Sequence, residues 1–124
     1  STQSRSSAAS DVYKRQMMQL ENNNLIIHAG KEIDHMSAER IRREFEECYM
    51  TGKVKNVIFD MSDVEFMDSS GIGMIMGKYM KVRYIGGRVY VAGVPKHIDR
   101  ILDISGVYKI VSKCDNVFQA LKEC

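Results

Sequence analysis

The chain has 124 residues, 27% of them charged, and a formal net charge of +2. This length suits a single domain with a modest hydrophobic core, and no apolar run approaches the roughly 20 residues that a membrane-spanning helix needs. Residues 1–16 hold three basic side chains against one acid, which accounts for the whole positive balance. The neutral remainder has no electrostatic reason to bind nucleic acid or an anionic membrane. The three cysteines form no CxxC pair, so a reducing cytoplasm is the expected compartment.

Residues 1–16 are rich in Ser, Thr and Gln and contain few large apolar side chains. Such a segment cannot bury enough surface to offset the entropy that is lost on ordering. We therefore expect residues 1–16 to be a disordered lead or a segment foreign to the native domain, and residues 17–124 to form the domain.

The domain is expected to open with two short strands, at 17–20 and 24–28. The three residues between them, Glu-Asn-Asn, form a turn because Asn tolerates left-handed backbone angles, so the pair is antiparallel. A helix follows and runs to about Met50, with Asp34 or Ser37 as its N-cap.

Strands and helices then alternate to the end of the chain. We expect strands over 56–61, 88–94 and 107–111, and helices from about Ser70 to Ile85, from Pro95 to Ser105, and from Asp115 or Asn116 onward. The order β-β-α-β-α-β-α-β-α predicts an α/β fold with a mixed, mainly parallel sheet, because helical crossovers of this length join parallel strands.

The most informative stretch lies between the third strand and the helix after it. Residues 66–73 read Phe-Met-Asp-Ser-Ser-Gly-Ile-Gly. Asp and Ser side chains cap helix starts because their oxygens accept hydrogen bonds from free backbone N–H groups. The hydroxyls of Ser69 and Ser70 are therefore predicted beside a helix N-terminus, where Gly71 and Gly73 keep the first turn free of bulk.

This stretch, followed by Gly77-Lys78-Tyr79, resembles the signature of bacterial anti-sigma factor antagonists of the sporulation and stress type. These are single STAS domains (sulfate transporter and anti-sigma antagonist). Residues 30–35, Gly-Lys-Glu-Ile-Asp-His, resemble a second landmark of the family, with Lys31 as a departure from its pattern. The resemblance spans nearly all of residues 17–124, and it implies the STAS fold, in which helices pack chiefly on one side of the sheet.

The resemblance also implies a function. It matches Ser69 to a serine that is phosphorylated by a partner which is both anti-sigma factor and serine kinase. The unphosphorylated protein would bind that partner and free the sigma factor. Phosphorylation would end this binding, and a metal-dependent serine phosphatase would restore it. No tightly bound cofactor, no metal and no catalytic residue are expected in this chain, which would be monomeric when free.

Further candidate partner contacts are Asp34, Asp68, Ser70, Gly71, Ile72 and Gly73. Asp34 is either a helix cap only or, as the resemblance implies, also a contact to a basic residue of the kinase. His35 is expected to be an exposed loop residue and Ile101 a core residue. For Met74, Met76 and Met80, a core position is favoured over an adaptable binding surface, and only side chains that face away from Ile72, Ile75 and Tyr79 could lie at the surface.

Two other functions fit parts of the sequence. A STAS domain without a phosphorylation cycle could be an adaptor subunit of a larger signalling or lipid-transport complex, although the intact Asp-Ser-Ser-Gly run argues against it. A small serine hydrolase would need a Gly-x-Ser-x-Gly elbow, but Met67 stands where the first Gly would be. No His is placed by the sequence to serve Ser69 as a base. The sequence thus favours a kinase substrate over an enzyme.

Overall fold

The computed structural model describes residues 17–124, so the lead predicted over residues 1–16 lies outside the described residues. A five-stranded sheet forms the centre of the fold. Its strands are β1 (Met18–Glu21), β2 (Asn24–His28), β4 (Asn56–Asp60), β6 (Val89–Ala92) and β7 (Ser112–Cys114). They lie in the order β1-β2-β4-β6-β7, and all neighbours pair in parallel except β1 and β2. The turn between these two has left-handed Asn22 and Asn23, as predicted.

Four helices connect or follow these strands in the described chain. They are α1 (His35–Tyr49), α2 (Ser69–Tyr84), α3 (Lys96–Ser105) and α4 (Val117–Glu123). Together with the main sheet they confirm the predicted order β-β-α-β-α-β-α-β-α. Within residues 17–124, no helix combines the length and the apolar character that a membrane crossing requires.

Alternate residues of the strands face two separate cores. In β4, Val57 and Phe59 belong to the larger core, which α1, α2 and α3 cover, whereas Ile58 faces a smaller core that α4 covers with Ala120. The helical side chains that complete the larger core include Ile41, Phe45, Ile75, Val82, Ile98 and Leu102. Three of the four helices therefore pack on one side of the sheet, as the family resemblance implied.

A second, small sheet was not predicted. It consists of β3 (Glu32–Ile33) and β5 (Phe66–Met67), which pair in parallel with Ile33 opposite Met67. Strands of two residues are too short to produce a recognisable pattern in the sequence. This sheet ties the segment before α1 to the segment before α2, and so it fixes how the starts of the two helices lie relative to each other.

The strand predicted over residues 107–111 is wrong. Gly106 has φ 83° and ends α3, and Val107–Lys109 form one turn of 3-10 helix. The N–H of Val111 donates to the carbonyl of Val107 at 3.0 Å, which is a helical type of hydrogen bond. The chain returns to the sheet only afterwards, and the strand in this place is β7.

Candidate functional site

Helix α2 begins directly after the short strand β5. Asp68 is its N-cap: the backbone of this residue is extended, and its carboxylate accepts a hydrogen bond from the Ser70 N–H at 2.8 Å. Ser69 and Ser70 are the first two helical residues. The Asp68 carboxylate therefore caps the helix, and neither the Ser69 hydroxyl nor the Ser70 hydroxyl is used as a cap.

The two serines differ in accessibility. Ser69 is exposed, and its hydroxyl forms no hydrogen bond within the part of the chain that the structure describes. Ser70 is half-buried and lines a groove between α1 and α2. Ser69 thus carries the hydroxyl that a second protein would reach first.

The residues after the serines have different environments. Gly71 is buried, and a Cβ atom at this position would overlap the Met67 side chain and approach Ile33 Cγ2 to 3.2 Å. Ile72 is half-buried against the larger core. Gly73 is exposed, and a Cβ there would meet no atom within 4 Å. Packing therefore explains why position 71 is a glycine, but it does not explain the glycine at position 73.

Asp34 is the N-cap of α1 and forms a capping box with Ser37. The Ser37 N–H donates to Asp34 Oδ1 at 2.9 Å, and the Asp34 N–H donates to Ser37 Oγ at 3.0 Å. The hydrogen bond from the Ser37 backbone lowers the pKa of Asp34 below its ordinary value, so this carboxylate is ionised at neutral pH. The predicted alternatives, Asp34 or Ser37 as the cap, are thus both parts of one motif.

The pairing of β3 with β5 brings the two helix starts together. Ile33 lies opposite Met67, and the Asp68 N–H donates to the carbonyl of Ile33 at 3.1 Å. Asp34 comes directly after Ile33, and Asp68 comes directly after Met67. The two acidic residues therefore lie at neighbouring positions, at the ends of paired strands. Ser69 is at the same edge, at the N-terminus of α2 beside these acidic residues.

Other predicted positions turn out differently. His35 is exposed, as expected, but it is the first residue of α1 and not a loop residue. Ile101 is 38% exposed, so its assignment to the core is wrong. Met74 is 6% exposed, so the core position favoured for it is confirmed. Met76 and Met80 are 45% and 62% exposed, because they lie on the outer side of α2, and the core position is wrong for these two.

Two residues of the same helix received no role from the sequence. Lys78 is 5% exposed and Gly77 is exposed, and both line the groove between α1 and α2. The sequence carries no signal for the burial of Lys78, because lysine is normally a surface residue. The Gly-Lys-Tyr triplet of the signature was the one indication that this turn of the helix matters.

The chemistry that this site can support is limited. Among residues 17–124 no histidine forms a hydrogen bond with the Ser69 hydroxyl, and no three His, Cys, Asp or Glu side chains are clustered so that they could hold a metal ion. The geometry presents a free hydroxyl to an external reagent. A base-activated nucleophile would need a neighbouring general base.

Comparison with known proteins assigns the family. A family model that describes the STAS domain matches residues 15–124. The chain belongs to the STAS domain family. The family and the fold implied by the signature at residues 66–79 are therefore confirmed.

Relatives of this STAS domain include anti-sigma factor antagonists. An anti-sigma F factor antagonist from Paenibacillus polymyxa is 33% identical over 99 residues, which cover 80% of this chain and 85% of that protein. The structure of the anti-sigma factor antagonist SpoIIAA in its unphosphorylated form has a TM-score of 0.77 at 21% identity, and the match covers 86% of this chain and 92% of that one. The phosphorylated form of the Bacillus cell fate determinant SpoIIAA has a TM-score of 0.68 at 24% identity, over 86% and 97% of the two chains.

Proposed function

We propose that this STAS domain is an anti-sigma factor antagonist of the cytoplasm that works by partner switching. In its unphosphorylated form it binds an anti-sigma factor that is also a serine kinase, and the sigma factor is released. The kinase phosphorylates Ser69, binding ends, and a metal-dependent serine phosphatase restores the active form. The observation that carries this proposal is the exposed Ser69 hydroxyl at the start of α2, which has no hydrogen-bond partner among the described residues. The names of the relatives support a regulatory binding protein over an enzyme.

The fold can accept a phosphate at this position. A phosphoserine carries a charge of about −1.5 to −2 at neutral pH. Helix N-termini favour negative charge, because their backbone N–H groups and the helix dipole point toward it. Ser69 is the first residue of α2, so the phosphate would lie where negative charge does not destabilise the helix.

The same phosphate would disfavour a bound partner. Asp68 precedes Ser69, and Asp34 lies at the neighbouring strand end. A partner that places a basic residue against Asp34 and packs on Ile72 and Gly73 would meet a bulky dianion beside these acids. Steric overlap, desolvation of the phosphate and like-charge repulsion then act together at the interface, and no large change of fold is needed.

Ser69 is a better acceptor than Ser70. The Ser70 N–H is held by the Asp68 carboxylate, and the residue is half-buried in the groove between α1 and α2. A kinase must surround the attacking hydroxyl and align it with the γ-phosphate of ATP. An exposed side chain permits this approach, so Ser70 is assigned a supporting role as a small hydroxyl and partner contact.

The test is intact-mass spectrometry after incubation with ATP and the anti-sigma kinase encoded in the same genome. We expect one added phosphate on the parent protein and on Ser70→Ala, and none on Ser69→Ala. The Ser69→Ala variant should also stay bound to the kinase in the presence of ATP, whereas the parent protein should dissociate.

Two results would contradict the proposal. Phosphate on Ser69→Ala but not on Ser70→Ala would show that Ser70, and not Ser69, is the phosphorylated residue. If no variant is modified by a kinase that is active on another antagonist, the switch is absent, and a STAS adaptor without a phosphorylation cycle becomes the better explanation.

A further inference from the structure

A groove runs between α1 and α2 and begins at Ser70, next to the Ser69 site. It is lined by Ser70 at one end and by Ala38, Gly73, Gly77 and Lys78 further along. Its volume is about 280 Å³, which is just below the range of about 300–1,000 Å³ that is typical of small-molecule sites. A groove of this volume can receive side chains of another protein.

The two glycines of the groove are not required by the fold. Gly73 and Gly77 lie in the helical part of α2, and a Cβ atom at either position would meet nothing within 4 Å. Glycine is less favourable than alanine inside a helix, because it loses more backbone entropy on folding. The free space beside both glycines instead allows the backbone of another chain to come close to α2.

Lys78 is a buried cation without a hydrogen-bonding partner. The residue is 5% exposed, its Nζ lies 4.9 Å from the centroid of the Phe45 ring, and within residues 17–124 it forms no hydrogen bond or ion pair. No side-chain nitrogen or oxygen of the described residues is both fully buried and unpaired. The Lys78 ammonium is therefore not completely shielded from solvent, and the residue is part of the groove lining.

The carboxylates close to Lys78 are already paired with other cations. Glu39, in the wall of the groove, binds Arg42 at 2.8 Å, and Glu46 binds Lys81 at 2.5 Å. Burial lowers the pKa of Lys78, and the attraction of the nearby Glu46 carboxylate opposes this shift only in part. A negative group entering the groove would supply this missing partner.

We propose that the groove between α1 and α2 is a docking site for a segment of the anti-sigma factor that places an Asp or Glu carboxylate against Lys78. Its backbone passes over Gly73 and Gly77. This inference rests on the proposed function, and it extends the interface from Ser69 along α2. The occupant is a protein segment because the groove is continuous with the Ser69 site through Ser70, and an acidic side chain would complement the charge of Lys78.

The first test separates binding from folding at Gly77. We expect Gly77→Ala to raise the melting temperature, since the fold has room for the methyl group and alanine is the better helix former. In its unphosphorylated form, the same variant should bind the anti-sigma kinase about tenfold more weakly, because the methyl group occupies the groove. Affinity is measured by isothermal titration calorimetry with the anti-sigma kinase and ADP, and stability by thermal circular dichroism.

The second test is a matched pair of lysines on α2. Lys78→Met keeps an unbranched chain over Phe45 but removes the charge, and we expect the Kd for the kinase to rise by about tenfold or more, as for loss of one member of a buried charge pair. Lys81→Met removes the same charge three residues later, where the ammonium lies 5.2 Å from the Tyr49 ring centroid and is bound to Glu46. Its Kd should change by less than about twofold.

The outcomes distinguish the two proposals. If the parent protein binds the kinase and is phosphorylated, but both Lys78→Met and Gly77→Ala bind as well as the parent, the docking groove is wrong and the proposed function stands. If Lys78→Met and Lys81→Met weaken binding equally, the effect is general electrostatics and the groove is again wrong. If the parent protein neither binds the kinase nor accepts phosphate, both proposals fail.

Discussion

At the scale of single residues, Gly71 and Gly73 serve opposite needs although they belong to one Gly-x-Gly run. We expect Gly71→Ala to lower the free energy of unfolding by about 1–3 kcal/mol, because its methyl group would overlap the buried Met67 side chain and crowd Ile33. Gly73→Ala is the matched control, and it should be neutral or stabilising by up to about 1 kcal/mol, since nothing lies within 4 Å of its Cβ. Urea unfolding of both variants measures the difference.

Equal stability of the two variants would show that Met67 yields without cost and that Gly71 is not needed for packing. The sequence predicts only that both glycines keep the first helical turn free of bulk. It cannot tell them apart, because the atoms that exclude a side chain at position 71 come from β3 and β5, and that pairing has no sequence pattern.

At the scale of elements, the start of α1 combines a structural and a functional role. The Asp34 carboxylate caps the helix, and under the proposed function it also faces a basic residue of the kinase. Asn caps helices about as well as Asp, so Asp34→Asn should keep the stability within about 0.5 kcal/mol while it weakens kinase binding. Ser37→Ala removes the other half of the capping box and should cost about 1 kcal/mol of stability with binding unchanged.

This pair of variants is measured by thermal unfolding and by titration with the kinase. If Asp34→Asn binds the kinase as tightly as the parent, Asp34 is a cap and nothing more. If Ser37→Ala weakens binding as strongly as Asp34→Asn, binding requires a well-ordered first turn of α1 and does not require the charge of Asp34.

The elements that the sequence predicts well are those with long periodic patterns. Helix α1 and strands β2 and β4 fall where their apolar residues recur. The segment 107–111 is β-branched and apolar, so it has the composition of a strand, but left-handed Gly106 and the hydrogen bond from Tyr108 to Asp99 hold it in a tight turn against α3. Tertiary contacts of this kind override local propensity.

At the scale of the whole molecule, the parallel sheet determines where the site lies. Parallel strands gather their carboxyl ends at one edge, and the helices that follow begin there. The alternation of strands and helices predicts the mainly parallel sheet, and the Asp-Ser-Ser-Gly run predicts that Ser69 lies at a helix N-terminus that follows one of its strands. The groove beside it depends on how α1 and α2 pack across Phe45, Lys78 and Glu46. The order of secondary-structure elements does not show how the side chains of two segments that are distant in sequence pack against each other.

The whole molecule also determines how far phosphorylation acts. Because a helix N-terminus accommodates an anion, we expect Ser69-phosphorylated protein to keep its fold and its free energy of unfolding within about 1 kcal/mol of the parent. Amide chemical shifts in a ¹⁵N correlation spectrum should change at the starts of α1 and α2 and in β5, and should stay the same in β2, β4 and β6. Ser69→Asp is the control for charge without the full phosphate. Shift changes throughout the central strands would mean that the switch acts by rearranging the domain, and loss of kinase binding without them would place the switch at the surface itself.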